Sequence, residues 1–212
     1  MGHPADLSEC SCSKERAVAL GVAVGADGIT AVVADGRGRV ISCLERGLPE
    51  GCHSNGHRLA EEVAGVIASL RTSAADERAG EVAEAVKTSA LAVGVCVPGV
   101  VDEEGRVCRS GALGLQDVPL ASLVSQSLAG TAAESTEVAL YQDARCGAWA
   151  ESRWGAAGEN CLFLSVAEHI SCAVLLNGAP VLGGGWAGQI GRVLVPDPDW
   201  SGEKACLEDV AS

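Results

Sequence analysis

Val138-Ala-Leu-Tyr-Gln-Asp-Ala-Arg-Cys-Gly-Ala-Trp-Ala-Glu151 is a short apolar run that meets a Gln142-Asp143 pair and continues in a helix-like pattern. A strand that ends at a carboxylate, with a helix behind it, is how open α/β sheets build ligand sites at the carboxyl ends of their strands. Two other stretches belong with it. Upstream, Ala90-Leu-Ala-Val-Gly-Val-Cys-Val-Pro-Gly-Val-Val-Asp102 reads as a buried strand over 90–97 that stops at Pro98-Gly99. Downstream, Gly183-Gly-Gly-Trp-Ala-Gly-Gln-Ile-Gly191 is a glycine-rich loop.

Working outward, 18–24 is an apolar run before the turn Gly25-Ala-Asp-Gly28, and 29–34 is a second strand. Asp35-Gly-Arg-Gly38 is a hairpin signal that returns the chain into a third strand over 39–44. Leu59, Val63, Val66, Ile67 and Leu70 share one face at spacings of three and four, which predicts a helix over 57–70. The acidic, alanine-rich stretch 73–87 either extends this helix or forms a separate one. Helices are also predicted over 119–128 and 144–153. Strands over 161–166 and 170–176 are joined by Ala167-Glu-His169, and Asn177-Gly178 is a further turn. The Gly- and Pro-rich stretch 181–200 reads as loop over a sheet edge. Strands alternating with helices predict an α/β class in two related lobes. The expected division is a disordered tail over 1–15, an N-terminal lobe over 17–133 and part of a C-terminal lobe over 134–212.

Composition narrows the function. Across 212 residues, 48% are hydrophobic but only 3% aromatic, so the core must be built from Val, Leu and Ala. A net charge of −13, with no Lys/Arg cluster to offset it, makes the chain alone a poor nucleic-acid binder. No apolar stretch reaches membrane-spanning length and no signal peptide is visible, so the expectation is a cytoplasmic protein with no membrane partner. Its ten cysteines are then expected as free thiols. Cys10 and Cys12 form a lone C-x-C with no second pair to complete a metal site. Cys96, Cys161 and Cys172 lie in apolar runs, where cysteine packs as a small hydrophobe.

The order and spacing of these motifs resemble the ROK family of sugar kinases and sugar-responsive repressors. The resemblance covers roughly 17–212 and implies the two-lobed actin-like ATPase (ribonuclease H-like) fold, here with an incomplete second lobe. Asp35-Gly-Arg-Gly-Arg-Val40, Pro98-Gly-Val-Val-Asp102 and Leu113-Gly-Leu-Gln-Asp-Val-Pro-Leu120 fit the family pattern closely. Asp143 matches the kinases' general base, which deprotonates the sugar hydroxyl, and Gln142 stands for the neighbouring Asn. An Asp at that place also caps a helix, and the two roles coexist. Gly188-Gln-Ile-Gly-Arg192 matches the family's G-E-x-G-H, so Gln189 replaces the sugar-binding Glu, and Glu208 matches a further sugar contact.

Elsewhere the chain departs from the kinases. In Gly21-Val-Ala-Val-Gly-Ala-Asp-Gly28 the Asp that helps hold the metal-nucleotide is Ala23, a phosphate-loop glycine is Ala26, and Thr-Lys has become Asp27-Gly28. The second phosphate loop has become Ala167-Glu-His-Ile-Ser171, so Glu168 and Asp27 would both face phosphate; like charges at about 4 Å repel by about 1 kcal/mol even in water. The sugar-contacting Asn becomes Ala112. Arg192 replaces the zinc-binding His, and only Cys206-Leu-Glu208 survives of the zinc loop, which implies no metal. The resulting expectation is a non-catalytic ROK-like sugar-sensing or regulatory domain without its own DNA-binding domain. It would use Gln142, Asp143, Gln189 and Glu208 for a small sugar, need no cofactor, and form a homo-oligomer. The alternatives are an ATP-dependent sugar kinase with Asp143 as base, and a ligand-free interaction module or remnant.

Overall fold

Three antiparallel strands come first among the described residues: β1 (Val18–Val24), β2 (Gly28–Asp35) and β3 (Val40–Gly47). The computed structural model describes residues 18–76, 92–131, 133, 136–166, 169–196 and 204–211. The tail expected over 1–15, most of the acidic stretch 73–87, and Glu168 lie outside them. The pleat sends alternate side chains to opposite faces, so Leu20, Val22 and Val24 of β1 and Ile29, Ala31 and Val33 of β2 all enter the core. Asp35 closes the second hairpin: its carboxylate accepts the N–H groups of Arg37 and Arg39, and the Arg39 guanidinium beside it holds it below its ordinary value.

α1 (Gly56–Asp76) lies on this meander with Leu59, Val63, Val66, Ile67 and Leu70 fully buried, the face that the spacing predicts. Asn55 accepts the Arg58 N–H at 3.0 Å and starts the helix. β4 (Val93–Val97) then pairs in parallel with β1, and β8 (Val138–Gln142) pairs in parallel with β4. The sheet order is β3-β2-β1-β4-β8. Between β4 and β8 the chain makes a small antiparallel sheet of β5 (Val100–Val101), β6 (Val107–Ser110) and β7 (Leu115–Val118), then α2 (Leu120–Leu128). The sequence reading places no strands at β6 and β7. Each is only four residues long, too short for an alternation to register.

After β8 comes α3 (Asp143–Trp154), then β9 (Cys161–Val166), β10 (Ile170–Leu176) and β11 (Ala179–Pro180) in a second antiparallel sheet. Ala144 and Ala148 of α3 pack with Ala173, Leu175, Cys161 and Phe163 in a separate small cluster. Gly147 is required there, because a β-carbon would meet the Phe163 ring at 2.7 Å. The outer face of β9 leaves Leu162, Leu164 and Val166 at least half exposed.

Two readings change. The stretch 181–200, expected as loop, contains two 3-10 turns and the strand β12 (Leu194–Pro196), which pairs with β13 (Lys204–Cys206) before α4 (Leu207–Ala211). Glycine and proline content hides such short elements. β8, assigned from sequence to the second lobe, is hydrogen-bonded into the first sheet, and Leu140 joins the first core. On that pairing we propose that the lobe boundary falls after Gln142 rather than before Glu134. No helix among the described residues is long and apolar enough to cross a membrane.

Candidate functional site

The carboxyl ends of β1, β4 and β8 open on one side into a cleft of about 300 Å³. Its walls are the turn after β1 (Val24 to Ala26), the Pro98-Gly99 turn after β4, the β6–β7 connection, the start of α3, and the segments around His169, Gln189 and Glu208. This is the placement expected for open α/β sheets.

Asp143 lines the cleft as the first residue of α3. It is not the cap. Gln142 occupies that position and makes no capping bond, while the Asp143 carboxylate accepts the Ala144 N–H at 2.7 Å. A carboxylate in the first turn interacts favourably with the helix dipole. Burial nonetheless pushes the Asp143 carboxyl above its ordinary range, with the Ala144 N–H and nearby His169 acting in the opposite direction.

Gln142, expected in the cleft beside Asp143, is not among its lining residues and is completely buried. The strand period of two puts it on the side of Leu140, and the helix begins only at the next residue. Neither its amide nitrogen nor its amide oxygen has a hydrogen-bond partner. Unmatched buried amides are costly, and an apolar side chain of similar shape removes the penalty. Gln142→Met is therefore expected to stabilise the protein by about 1–2 kcal/mol in chemical denaturation; a loss of stability instead would show that the amide is satisfied in solution.

Gln189 lines the cleft and its Nε2 donates to the Gly99 carbonyl at 3.0 Å, tying the glycine-rich loop to the turn after β4. Glu208 also lines the cleft; it accepts the Ile170 N–H at 3.4 Å and lies 3.8 Å from His169 Nδ1. The structure thus brings Asp143, Gln189 and Glu208 to one cavity and leaves Gln142 out. Ala112 and Ala26 line it as well, and Ala23 is exposed on β1.

Three features escape sequence reasoning. His169 sits in the cleft against Glu208, although no local pattern marks it. Arg145, buried on α3 with Ala144 and Ala148, donates to the carbonyls of Gly185 at 2.8 Å and of Val101 and Leu182 at 3.4 Å. A lone arginine between small residues at a helix start is its only sequence signal. Cys96 and Cys146 are neighbours, and the interaction between their thiols holds Cys146 low and, with burial and nearby Asp143, pushes Cys96 up.

Residues 19–212 match the model of the ROK family. The chain belongs to the ROK family. Over 207 residues it is 23% identical to the xylose repressor of Bacillus subtilis (strain 168), covering 94% of this chain and 49% of that protein. Among solved structures, a ROK hexokinase from Thermus thermophilus superposes with a TM-score of 0.64 at 26% identity, over 85% of this chain and 55% of that one. A ROK-family transcriptional regulator, a homologue of the E. coli MLC protein, does so with a TM-score of 0.71 at 17% identity, over 93% and 47%. The fold is therefore the actin-like fold of ROK kinases and regulators. The chain spans about half the length of these relatives.

Proposed function

We propose that the cleft of this ROK-family chain binds a sugar. The observation that carries this reading is the convergence of Asp143, Gln189 and Glu208 from three separate elements on one cavity of about 300 Å³. That volume is at the small end of ligand sites and suits a monosaccharide. Carboxylates and an amide together accept from and donate to sugar hydroxyls.

Family membership offers two uses for the bound sugar. Phosphoryl transfer is supported by the hexokinase likeness and by Asp143 itself, whose half-buried carboxylate with a raised affinity for protons suits a general base. Sensing without catalysis is supported by the xylose repressor likeness and by Ala23 and Ala26 in the first turn. Thermal unfolding with hexoses and N-acetylhexosamines, each with and without Mg-ATP, separates them. A ligand at 100 times its dissociation constant stabilises by about 2.7 kcal/mol. A shift with sugar alone supports sensing, and a larger shift with turnover when Mg-ATP is added supports the kinase. A cooperative melt that no sugar moves would sink both.

Asp143→Asn tests the residue. Because folding raises the Asp143 pKa, the native state favours the protonated acid. That contribution is present below the ordinary value of 3.8 and is lost as pH rises through the raised folded value. The Asn variant is therefore expected to be more stable than the parent at pH 7 and to lose that advantage in acid. If the protein is a kinase, turnover falls about 10²- to 10⁴-fold. Unchanged stability together with unchanged sugar affinity would remove Asp143 from the site.

A further inference from the structure

We propose that the ligand selected by this cleft carries an anionic group, a phosphate or a carboxylate on the sugar, and that Arg109 and Arg192 hold it. The inference rests on the sugar-binding reading and deepens it. Both arginines line the cavity, Arg109 from β6 and Arg192 from the 3-10 turn Ile190–Arg192 that follows Gln189. Each guanidinium is exposed, and neither makes a hydrogen bond or ion pair through its side chain among the described residues.

The chain carries 28 Asp and Glu against 15 Lys and Arg, so a carboxylate partner is cheap to place beside any arginine. Some arginines have one, as Arg39 does with Asp35 and Arg106 with Asp117; among the described residues Arg58 and Arg153 show none, but only Arg109 and Arg192 line the cleft. Among the described residues, neither carboxylate of the cleft forms an ion pair with these arginines. Asp143 accepts the Ala144 N–H, and Glu208 accepts the Ile170 N–H beside His169. Two cations with no ion-pair partner among the described residues are thus presented to the cavity, and guanidinium forks are the side chains best shaped to grip phosphate or carboxylate. At the same wall Gly111 and Ala112 supply no polar side chain, which leaves room beside Arg109 for a group larger than a hydroxyl.

The test is a set of calorimetric titrations and thermal melts of the full chain with glucose, glucose 6-phosphate, glucuronate and inorganic phosphate, at low and high salt. The expected result is that at least one anionic sugar binds about tenfold or more tightly than glucose, with the advantage shrinking as salt rises. Arg109→Gln and Arg192→Gln are expected each to remove most of that advantage while leaving glucose binding and the melting temperature unchanged, since both side chains are exposed. Glucose 6-phosphate and glucuronate as separate arms distinguish a phosphate from a carboxylate. Glucose binding as tightly as both anionic sugars would overturn the inference and leave the sugar reading standing. Inorganic phosphate binding as tightly as glucose 6-phosphate would also overturn it, by showing an anion site with no sugar recognition. No shift with any of the four in a cooperatively melting protein would overturn the inference, and the panel of hexoses and N-acetylhexosamines then decides the sugar reading separately.

Discussion

Gly188→Ala is expected to cost about 3 kcal/mol or more and to release the loop that carries Gln189. Gly188 has φ +88°, a conformation that L side chains rarely adopt, and a β-carbon there would overlap the Cys172 carbonyl. The left-handed backbone alone costs roughly 1–2 kcal/mol for a residue with a side chain. Relieving the overlap requires the loop to retreat from β10, which breaks the 2.8 Å hydrogen bond from the Cys172 N–H to the Gly188 carbonyl. That adds about 1 kcal/mol. Hydrogen exchange across 182–192 should rise strongly in the variant while the first sheet keeps its protection. The Gln189 contact with Gly99 would go with it, so sugar affinity should fall even though no ligand contact is mutated. An alanine variant with wild-type protection over this loop would mean that the positive-φ turn is not the native one.

Arg145→Met should have an effect nearly as large. Its guanidinium is the only side chain seen to bridge β5 to the Leu182–Gly185 turn among the described residues, through the carbonyls of Val101, Leu182 and Gly185. The approach is close: a β-carbon on Gly185 would lie 2.7 Å from the Val101 carbonyl oxygen. Burial lowers the arginine's pKa, and its Nε has no partner, so the charge itself is not comfortable there. Methionine removes that desolvation cost but takes the guanidinium away from all three carbonyls; Leu182 keeps the N–H groups of Gly185 and Ala187, so the penalty of about 1–3 kcal/mol each falls on Gly185 and Val101 where they stay dry. The net expectation is a loss of about 2–4 kcal/mol, read by denaturation, with the deficit independent of pH because arginine stays charged throughout. A change within about 0.5 kcal/mol would show that water replaces the guanidinium without penalty.

These two residues show how differently the parts of the site are written. Gly188 and Gln189 belong to a local glycine pattern and are visible in sequence. Arg145 is not, because its three acceptors lie far from it along the chain and no spacing rule connects them. The same divide separates Asp143 from Gln142. Both are adjacent in the opening motif, yet the change from strand to helix between them turns one into the cleft and the other into the core. The Arg109 and Arg192 pair is a tertiary fact of the same kind.

What the sequence determined by itself was every element with a clean period. The β1–β2–β3 meander follows from alternation and turn residues, the buried face of α1 from the 3.6 spacing, and family membership from glycine, proline and carboxylate order. Tertiary structure alone decided that β8 belongs to the first sheet, that β12 and β13 pair, that His169 meets Glu208, and which polar groups share the cleft. The physical reason is range. Periodicity and turn chemistry act within a few residues of chain, whereas strand pairing and the pairing of buried polar groups depend on which distant segments meet.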